Sequence, residues 1–359
     1  MNSTVIAWDI GGAHLKAAML DDAGKVLQVL QEACPLWRGL DVLALAIDEV
    51  LAKLNLSLNA HQTSLHAITM TGELADIFSD RHDGVIQIVQ LIEAKLTALP
   101  TSQQTLYFAG VAGLIKFEQV AQYTAQIASA NWLASAFYAA TQYHQALFID
   151  MGSTTTDLMV IADDKPQYVG LTDAARLKSG ELVYTGMIRT PLMAVAQHIA
   201  FAGKVSFVTA EHFATMADVY RLTGHLDEAE DMCETADGQG KTLADSARRL
   251  ARMVGHDVQD ADLTTWKTLA HAFKQAQLDT LKQAALRQIS RGLFDPLAPI
   301  IAAGVGSNVV KELARQLNRK FYDVSTIISA DSDADKSWAC VCFPAYSLAK
   351  LALREIKSL

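Results

Sequence analysis

Two short stretches place an acidic residue and glycine directly after an apolar strand pattern. In "WDIGGAHLK", Asp9 precedes Gly11 and Gly12, and in "FIDMGSTTTDL", Asp150 precedes Gly152 and a run of hydroxyl residues. Glycine lets the backbone approach a ligand closely and offer N–H groups to an anion. An aspartate suits such a turn when Mg²⁺ lies between its carboxylate and the phosphate. We therefore predict two phosphate-binding turns that share one metal ion.

The second stretch carries the stronger signal. For the first stretch, an ordinary hairpin turn is the alternative interpretation to a phosphate-binding turn. Four small polar residues in succession are a poor choice for a hairpin, in which Asn-Gly or Asp-Gly suffices. Lys16 is a candidate counter-charge, although its strand position also suits a solvated face. The predicted metal ligands are Asp9 and Asp150, and the predicted phosphate-binding residues are Gly11, Gly12, Lys16, Gly152, Ser153, Thr154 and Thr155.

A third glycine turn occurs late in the chain. In "IIAAGVGSNVVKELARQL", an apolar strand pattern delivers Gly304 and Gly306 to the start of a helix pattern. The free N–H groups of a helix N-terminus bind anions. A lone G-x-G is a weak signal, but as the third member of an ordered set it adds two phosphate-site candidates.

The elements that position these turns repeat once along the chain. Strand, turn and strand patterns open each half, and helix and strand patterns follow. We predict an α/β protein of two lobes, with residues 1–145 as lobe I and 146–343 as lobe II. A C-terminal helix of about 344–359 packs back on lobe I. The expected elements include one helix at 118–141, a helical insertion at about 192–298, a strand at 323–329 and an acidic loop at 330–337.

Composition restricts the classes of partner. The 359 residues are 51% hydrophobic and 19% charged, with a net charge of −9, whereas nucleic acids and anionic membranes require a basic face. No apolar run reaches the roughly 18–20 residues of a membrane helix. Four cysteines show no metal-binding spacing and suit a reducing cytoplasm as small buried hydrophobes. Cys340 and Cys342 are expected to point the same way on a strand.

The order of the three glycine turns resembles the superfamily of actin, sugar kinases and heat-shock ATPases. In that superfamily the first two turns are phosphate loops and the third is the adenosine loop. The resemblance implies the duplicated, ribonuclease H-like two-lobed fold.

Longer motifs narrow the resemblance to the hydantoinase A/oxoprolinase-related proteins of tetrahydromethanopterin-linked one-carbon pathways. It implies a transferase that joins an aminomethylfuran-methyl diphosphate to a phenol, either γ-glutamyltyramine or a tyrosine-derived acceptor, and releases pyrophosphate with the help of Mg²⁺. The motifs span roughly residues 5 to 345 and are "ACPLWRG" (Ala33–Gly39), "TMTGELADIF" (Thr69–Phe78), "FIDMGSTTTDL" (Phe148–Leu158), "SGELVYTGMIRTP" (Ser179–Pro191), "AEHFATMADVYRLTG" (Ala210–Gly224) and "TADGQGK" (Thr235–Lys241).

A phenol with a pKa of about 10 requires a base at neutral pH. Glu73 is the first candidate because it follows a strand that ends at Thr-Gly, and Asp76 lies on the same face if this turn is helical. A helix cap or an ion pair with lysine is the alternative role of Glu73. His14 and Asp157 are the alternative bases. Candidate substrate-binding residues, each with a structural ion pair or turn as its alternative, are Arg38, Arg189, Arg221 and Asp237.

Two other functions compete with the transferase. An ATP-dependent small-molecule kinase or ligase would use all three turns for ATP. An actin-like filament or a sugar-sensing regulator would be no enzyme. The acceptor and the oligomeric state stay open.

Overall fold

The computed structural model describes residues 4–55, 64–99 and 103–358, which form two β-sheets with helices on both faces. The first sheet has the order β3-β2-β1-β4-β5-β6. A hairpin joins β1 to β2, and β4 and β5 then add parallel to β1. Its strands are β1 (Thr4–Ile10), β2 (His14–Leu20), β3 (Val26–Ala33), β4 (Ser64–Met70), β5 (Gln103–Phe108) and β6 (Leu114–Ile115).

The second sheet repeats this plan with the order β10-β8-β7-β13-β14, and β9 pairs with β8. Again a hairpin joins the first two strands, and two further strands add parallel. Its strands are β7 (Ala146–Met151), β8 (Thr156–Ala162), β9 (Lys165–Pro166), β10 (Leu182–Val183), β13 (Ile300–Ala303) and β14 (Phe321–Asp323), and β11 (His198–Phe201) and β12 (Lys204–Phe207) form a separate hairpin.

Helices complete three hydrophobic cores. One core lies between the sheets, where α4 and α11 pack on each other. The outer face of the first sheet is covered by α1–α3, and that of the second by α6–α9. The helices are α1 (Leu40–Asn55), α2 (Arg81–Thr97), α3 (Val120–Ile127), α4 (Asn131–Ala140), α5 (Asp173–Ser179), α6 (Met216–Thr223), α7 (Leu243–Arg252), α8 (Leu263–Ile289), α9 (Ser307–Gln316), α10 (Asp333–Val341) and α11 (Phe343–Ser358).

Helix starts follow from local capping chemistry. The Asp80 carboxylate accepts a bond from the Asp83 N–H, and the Thr172 hydroxyl accepts one from the Ala175 N–H. Each side chain satisfies a donor that the first helical turn leaves unpaired. At the other end of α5, Gly180 adopts the left-handed conformation that closes a helix at little cost. This short capped helix directs two side chains into the site described below.

Three local predictions were wrong, and the predicted helical insertion was incomplete. The helix predicted at 118–141 is broken into α3 and α4, because Ser129 between them has a φ of 52°. The region 192–298 contains the β11–β12 hairpin besides its helices. The strand predicted at 323–329 is mostly a 3₁₀ turn (Val324–Ile327), and α10 begins within the predicted acidic loop.

The start of α10 has a simple cause. The Ser332 hydroxyl caps it by accepting a bond from the Asp335 N–H, and acidic residues favour a first helical turn. Cys340 therefore lies on a helix and Cys342 caps its end, so the two thiols do not alternate along a strand. The described part of the last helix, α11, packs on β1, β2 and β4 of the first sheet; residue 359 of the predicted helix lies outside the described residues.

Candidate functional site

The β1–β2 and β7–β8 turns line one cavity of about 630 Å³ between the two lobes. In the antiparallel registers, Asp9 pairs with Lys16 on the first hairpin and Asp150 with Asp157 on the second. All four residues line the cavity. Because both hairpins end at this cavity, the fold brings together two aspartates that are 141 positions apart in sequence. Their neighbours on the two turns that also line it are Gly11, Gly12, Gly152, Ser153, Thr154 and Thr155.

Both turns are supported by a later segment of backbone. The Leu36 N–H donates to the Gly12 carbonyl at 3.0 Å, and the Cys34 N–H donates to the Ala13 carbonyl at 2.8 Å. The second turn is supported in the same way, because the Met187 N–H donates to the Gly152 carbonyl at 2.9 Å. These bonds fix the direction of the turn carbonyls.

Several backbone N–H groups of the two turns have no acceptor among the described residues and are available to a ligand. Within the described ranges, the N–H groups of Gly12, Ala13, Ser153 and Thr154 donate to no protein acceptor. Unpaired backbone donors on successive turn residues form a concave site for an anion. The two turns together therefore provide donors on opposite sides of one cavity.

Two glycines hold the second turn close to its support. A Cβ on Gly186 would lie 2.6 Å from the Thr154 nitrogen and 2.7 Å from the Gly152 oxygen. Gly304 has a φ of +82°, and a Cβ there would lie 2.5 Å from Asp150 Oδ1. Gly304 thus lies directly behind the Asp150 carboxylate. Any side chain at either position would move the second turn.

The paired aspartates differ in their protein partners. The Asn131 amide donates to Asp9 Oδ1 at 3.2 Å. Burial raises the pKa of Asp9, while Lys16 and Asn131 act against this rise. In the described part of the chain no side chain or backbone group donates to the Asp150 carboxylate. Burial, together with repulsion from Asp157 and Asp9, raises the pKa of Asp150 to about 7.

The Asp157 carboxylate forms an ion pair with Arg176. Arg176 Nη2 donates to Asp157 Oδ1 at 2.7 Å, and the guanidinium lies 3.8 Å from the centre of the Trp132 ring. Burial raises the pKa of Asp157, and Arg176 partly offsets this effect. Because one Asp157 oxygen already accepts a bond from Arg176, Asp157 has a structural partner, and its role as the base that takes the phenol proton stays a prediction. Asp9 and Asp150 are then the carboxylates available to a cation, although the described residues include no cluster of three or more His, Cys, Asp and Glu side chains that could hold a metal.

The predicted base Glu73 lies behind the cavity wall. Its side chain is buried and accepts a bond from the Ser129 hydroxyl at 2.7 Å. Ser129 and Asp173 line the cavity, whereas Glu73 does not. Asp76 lines the cavity and is exposed to solvent. His14 also lines it, and burial lowers its pKa to about 4, so His14 is neutral and weakly basic at pH 7.

Of the four predicted substrate-binding residues, Arg189 alone lines the cavity. Arg189 Nη1 lies 3.4 Å from the Thr154 hydroxyl, and its guanidinium lies 5.0 Å from the centre of the Trp37 ring in lobe I. Trp37 and Tyr184 line the same cavity and are 43% and 64% exposed, so their rings are available to a ligand.

The structure places Arg38, Arg221 and Asp237 in ion pairs away from this cavity. Arg38 pairs with Glu234 at 3.0 Å on the surface. Arg221 binds Asp218 at 2.8 Å and also Asp231. Asp237 binds Arg249 at 2.9 Å. The charges of Arg221 and Asp237 are satisfied within lobe II, so they stabilise the insertion.

Gly304 and Gly306 belong to the neighbourhood of a second cavity of about 490 Å³. Gly304 lines it with Ser307, Asp323 and Lys336. The Gly306 N–H donates to the Met151 carbonyl at 2.9 Å, so this predicted phosphate donor is already occupied. Lys16 Nζ donates to the carbonyl of Val341, which also lines the second cavity.

Sequence reasoning missed several cavity residues, because their positions depend on contacts between distant segments. Asn131, Ser129 and Trp132 occupy a stretch that has an unbroken helix pattern. The positions of Asp173 and Arg176 on a helix could have been predicted from the sequence. Thr172 and Gly180 are typical caps of a short helix, and this helix follows the second hairpin. Among the described helices, none is long and apolar enough to cross a membrane.

Two curated proteins are similar to this chain, and the two share one protein name. The chain is 27% identical over 361 residues to a Methanocaldococcus jannaschii protein, with 99% of each chain covered. It is 26% identical over 212 residues to a Methanococcus vannielii protein, which covers 59% of this chain and 92% of the relative. Both are named (4-{4-[2-(gamma-L-glutamylamino)ethyl]phenoxymethyl}furan-2-yl)methanamine synthase.

Comparison with solved structures supports the predicted fold. A nucleotide-free structure of acetone carboxylase matches with a TM-score of 0.55 at 10% identity, over 97% of this chain and 70% of the other. The repeated hairpin-plus-parallel-strand plan confirms the two-lobed α/β fold of the actin, sugar kinase and heat-shock ATPase type. The family model for hydantoinase/oxoprolinase matches residues 64–332. The chain therefore belongs to the hydantoinase/oxoprolinase family.

Proposed function

We propose that this protein is an enzyme of methanofuran-type cofactor biosynthesis. In this proposal it is a transferase that joins an aminomethylfuran-methyl diphosphate to a phenol, either γ-glutamyltyramine or a tyrosine-derived acceptor. The phenol oxygen forms a bond to the furan methylene as the bond from that carbon to the diphosphate oxygen breaks. The electron pair leaves with pyrophosphate, and the phenol proton passes to a base. The product named for the relatives, a phenoxymethyl ether of a furan that bears a primary amine, has this connectivity.

One observation carries the proposal: two turns with unpaired N–H groups and two aspartates line the same cavity. Such donors would neutralise the charge that develops on the departing diphosphate. Lys16 and Arg189 add positive charge at the same cavity. The exposed rings of Trp37 and Tyr184 would pack against the furan and phenol rings.

The residues present fit a divalent cation. Mg²⁺ is usually bound by one or two protein carboxylates together with substrate phosphates and water. Asp9 and Asp150 would hold it, and Asp150, buried with no donor among the described residues, is the carboxylate that most requires a cation. When bound, Mg²⁺ would act as a Lewis acid on the diphosphate oxygens.

An ATP-dependent kinase or ligase is the second candidate. The second cavity favours it, because this cavity lies beside Gly304 directly behind Asp150, where an organic group attached to a phosphate chain could extend. In the transferase, the same cavity has no assigned ligand.

The test mixes the protein and Mg²⁺ with the furan-methyl diphosphate and each phenol, and follows products by mass spectrometry and a pyrophosphate assay. We expect ether and pyrophosphate in equal amounts without ATP. Asp150→Asn should lower the formation of both products about 10³-fold, whereas Asp22→Asn, at an exposed position on the β2–β3 turn, should leave them unchanged. Ether formation that requires ATP, or steady ATP hydrolysis without the phenol, would favour the second candidate.

A further inference from the structure

Two carboxylates and a serine form a cluster at the wall of the cavity. Ser129, on the short connection between α3 and α4, lines the cavity and is 4% exposed. Its hydroxyl donates to Glu73 Oε1 at 2.7 Å and lies 3.3 Å from Asp173 Oδ2. The three side chains come from both lobes, and Ser129 is the member between the other two.

Glu73 is fixed and cannot reach a ligand itself. It is 1% exposed on a 3₁₀ turn, Gly72–Leu74, and a Cβ on Gly84 of α2 would lie 2.5 Å from the Glu73 carbonyl oxygen. Glu73 Oε2 has no hydrogen-bond partner among the described residues. The Ser129 hydroxyl is therefore the group that connects the Glu73 carboxylate to the cavity by a hydrogen bond.

The charges around this carboxylate favour proton uptake. Burial raises the pKa of Glu73, with Ser129 and Arg81 acting in the opposite direction and Asp173 in the same direction. Arg81 is already paired with Asp173 at 2.8 Å. Its positive charge is therefore shared between two carboxylates. A buried, poorly compensated carboxylate is a stronger base than an exposed one.

The backbone at Ser129 supports a functional role. A φ of 52° is unfavourable for a residue with a side chain and costs of order 1 kcal/mol. The same connection leads to Asn131, which donates to Asp9. One short segment thus presents a hydroxyl to the cavity and orients a carboxylate of the proposed metal site.

We propose that Ser129 relays the acceptor's proton to Glu73. The phenol O–H proton moves to Ser129 Oγ, and the hydroxyl proton of Ser129 moves to Glu73 Oε1 as the phenol oxygen forms its bond to the furan methylene carbon. The electron pair of the broken C–O bond leaves with pyrophosphate, and Glu73 returns the proton to water through Ser129 after product release. Asp173 is a positioning residue that orients the Ser129 hydroxyl. This inference rests on the proposed transferase function.

The test uses phenol acceptors of graded acidity. A phenol with a pKa of about 10 requires a base at pH 8, whereas a ring-substituted phenol with a pKa of about 7 is already ionised. We expect Ser129→Ala to lower kcat about 10²- to 10³-fold with the first acceptor and less than about 10-fold with the second, at similar KM. Glu73→Gln, which preserves the shape and the bond from Ser129, should show the same pattern.

Two further variants separate relay from folding. Ser129→Gly also removes the hydroxyl, and glycine tolerates the left-handed φ, so this variant should be less destabilised than Ser129→Ala and show the same dependence on acceptor acidity. Ser135→Ala is the control, because Ser135 is a buried serine on α4 whose hydroxyl, unlike that of Ser129, has no partner in the described structure. It should leave both rates unchanged.

Equal losses on all phenols in the Ser129 and Glu73 variants, or no loss on any, would overturn the relay while leaving the transferase intact. A parent protein that forms no ether with any phenol would overturn both proposals. The two failures are distinguished by the activity of the parent protein alone.

Discussion

The two phosphate-type turns have the same backbone plan but different chemistry. Each turn has its carbonyls tied to a later segment and its middle N–H groups unpaired within the described structure. The first turn, Gly-Gly-Ala, offers backbone donors and has its aspartate held by Asn131. The second adds three hydroxyl side chains and an aspartate that no described donor satisfies. The two turns therefore share one backbone geometry, while the buried aspartate without a donor among the described residues belongs to the second turn.

The aspartates provide the largest expected contrast. We expect Asp150→Asn to lower kcat about 10³-fold, equivalent to about 4 kcal/mol, and Asp9→Asn to lower it about 10²-fold. The reason is that Asp150 accepts no hydrogen bond from the described residues and is repelled by Asp157 and Asp9, whereas Asp9 accepts a bond from Asn131. Rates measured against Mg²⁺ concentration will test this order.

A loss from Asp9→Asn that equals or exceeds the loss from Asp150→Asn would remove the proposed difference between the turns. The unfolding midpoint supplies an independent check. Without Mg²⁺, Asp150→Asn should be at least as stable as the parent, because it removes a buried charge close to two other carboxylates.

The buried His66 should contribute a loss of stability in acid to the lobe that carries the first turn. On the strands behind it, Trp8 Nε1 donates to His66 Nδ1 at 3.0 Å, and burial lowers the pKa of His66 to about 4. In the unfolded chain His66 has a pKa of about 6.5 and binds a proton below that pH, whereas in the folded chain it stays neutral down to about pH 4. The contribution of His66 to the free energy of unfolding is therefore full above pH 6.5 and falls as the pH drops towards 4. The shift corresponds to a loss of about 3 kcal/mol from this residue.

Urea unfolding between pH 7 and pH 4 measures this effect. His66→Gln keeps an acceptor for Trp8 and a donor for Gln103 but does not titrate, so its unfolding free energy should fall less steeply with acid. The remaining slope should include His14, whose pKa is also lowered to about 4. Identical slopes for His66→Gln and the parent would contradict the assignment.

Alanine at Gly186 and Gly12 tests how closely each turn is packed. A Cβ on Gly186 meets the Thr154 nitrogen at 2.6 Å, whereas a Cβ on Gly12 meets nothing within 4 Å. We expect Gly186→Ala to lower the free energy of unfolding by about 1–3 kcal/mol and Gly12→Ala to leave it nearly unchanged. Pyrophosphate binding by calorimetry should weaken in both variants. A stable Gly186→Ala with unchanged binding would show that the second turn is free to move.

The smallest expected effect concerns Arg38, which pairs with Glu234 on the surface. Both side chains are more than half exposed, so Arg38→Ala should change the free energy of unfolding by less than about 0.5 kcal/mol. If the pair is structural only, Arg38→Ala and Glu234→Ala should leave KM unchanged. A rise in KM for Arg38→Ala alone would instead support the sequence-based assignment of Arg38 to the substrate.

The sequence by itself determined the two hairpins and the turns between their strands. Alternating and apolar strand patterns followed by glycine specify local structure, and the residues of each turn are neighbours in the chain. The duplicated fold also followed, because the same order of patterns occurs twice. The placement of the predicted metal ligands and phosphate donors on these turns needed no long-range information.

Only the tertiary structure decided which distant residues complete the cavity and which are used elsewhere. Ser129 and Asn131 reach the cavity because the chain breaks between α3 and α4 to place α4 between the sheets, while the helical pattern of 118–141 contains no signal for that break. Arg221 and Asp237 instead form ion pairs within lobe II. Arg221 pairs with Asp231, 10 residues away, and Asp237 pairs with Arg249, 12 residues away. Burial, charge compensation and contact are properties of side chains brought together by folding, and spacing along the chain does not fix them.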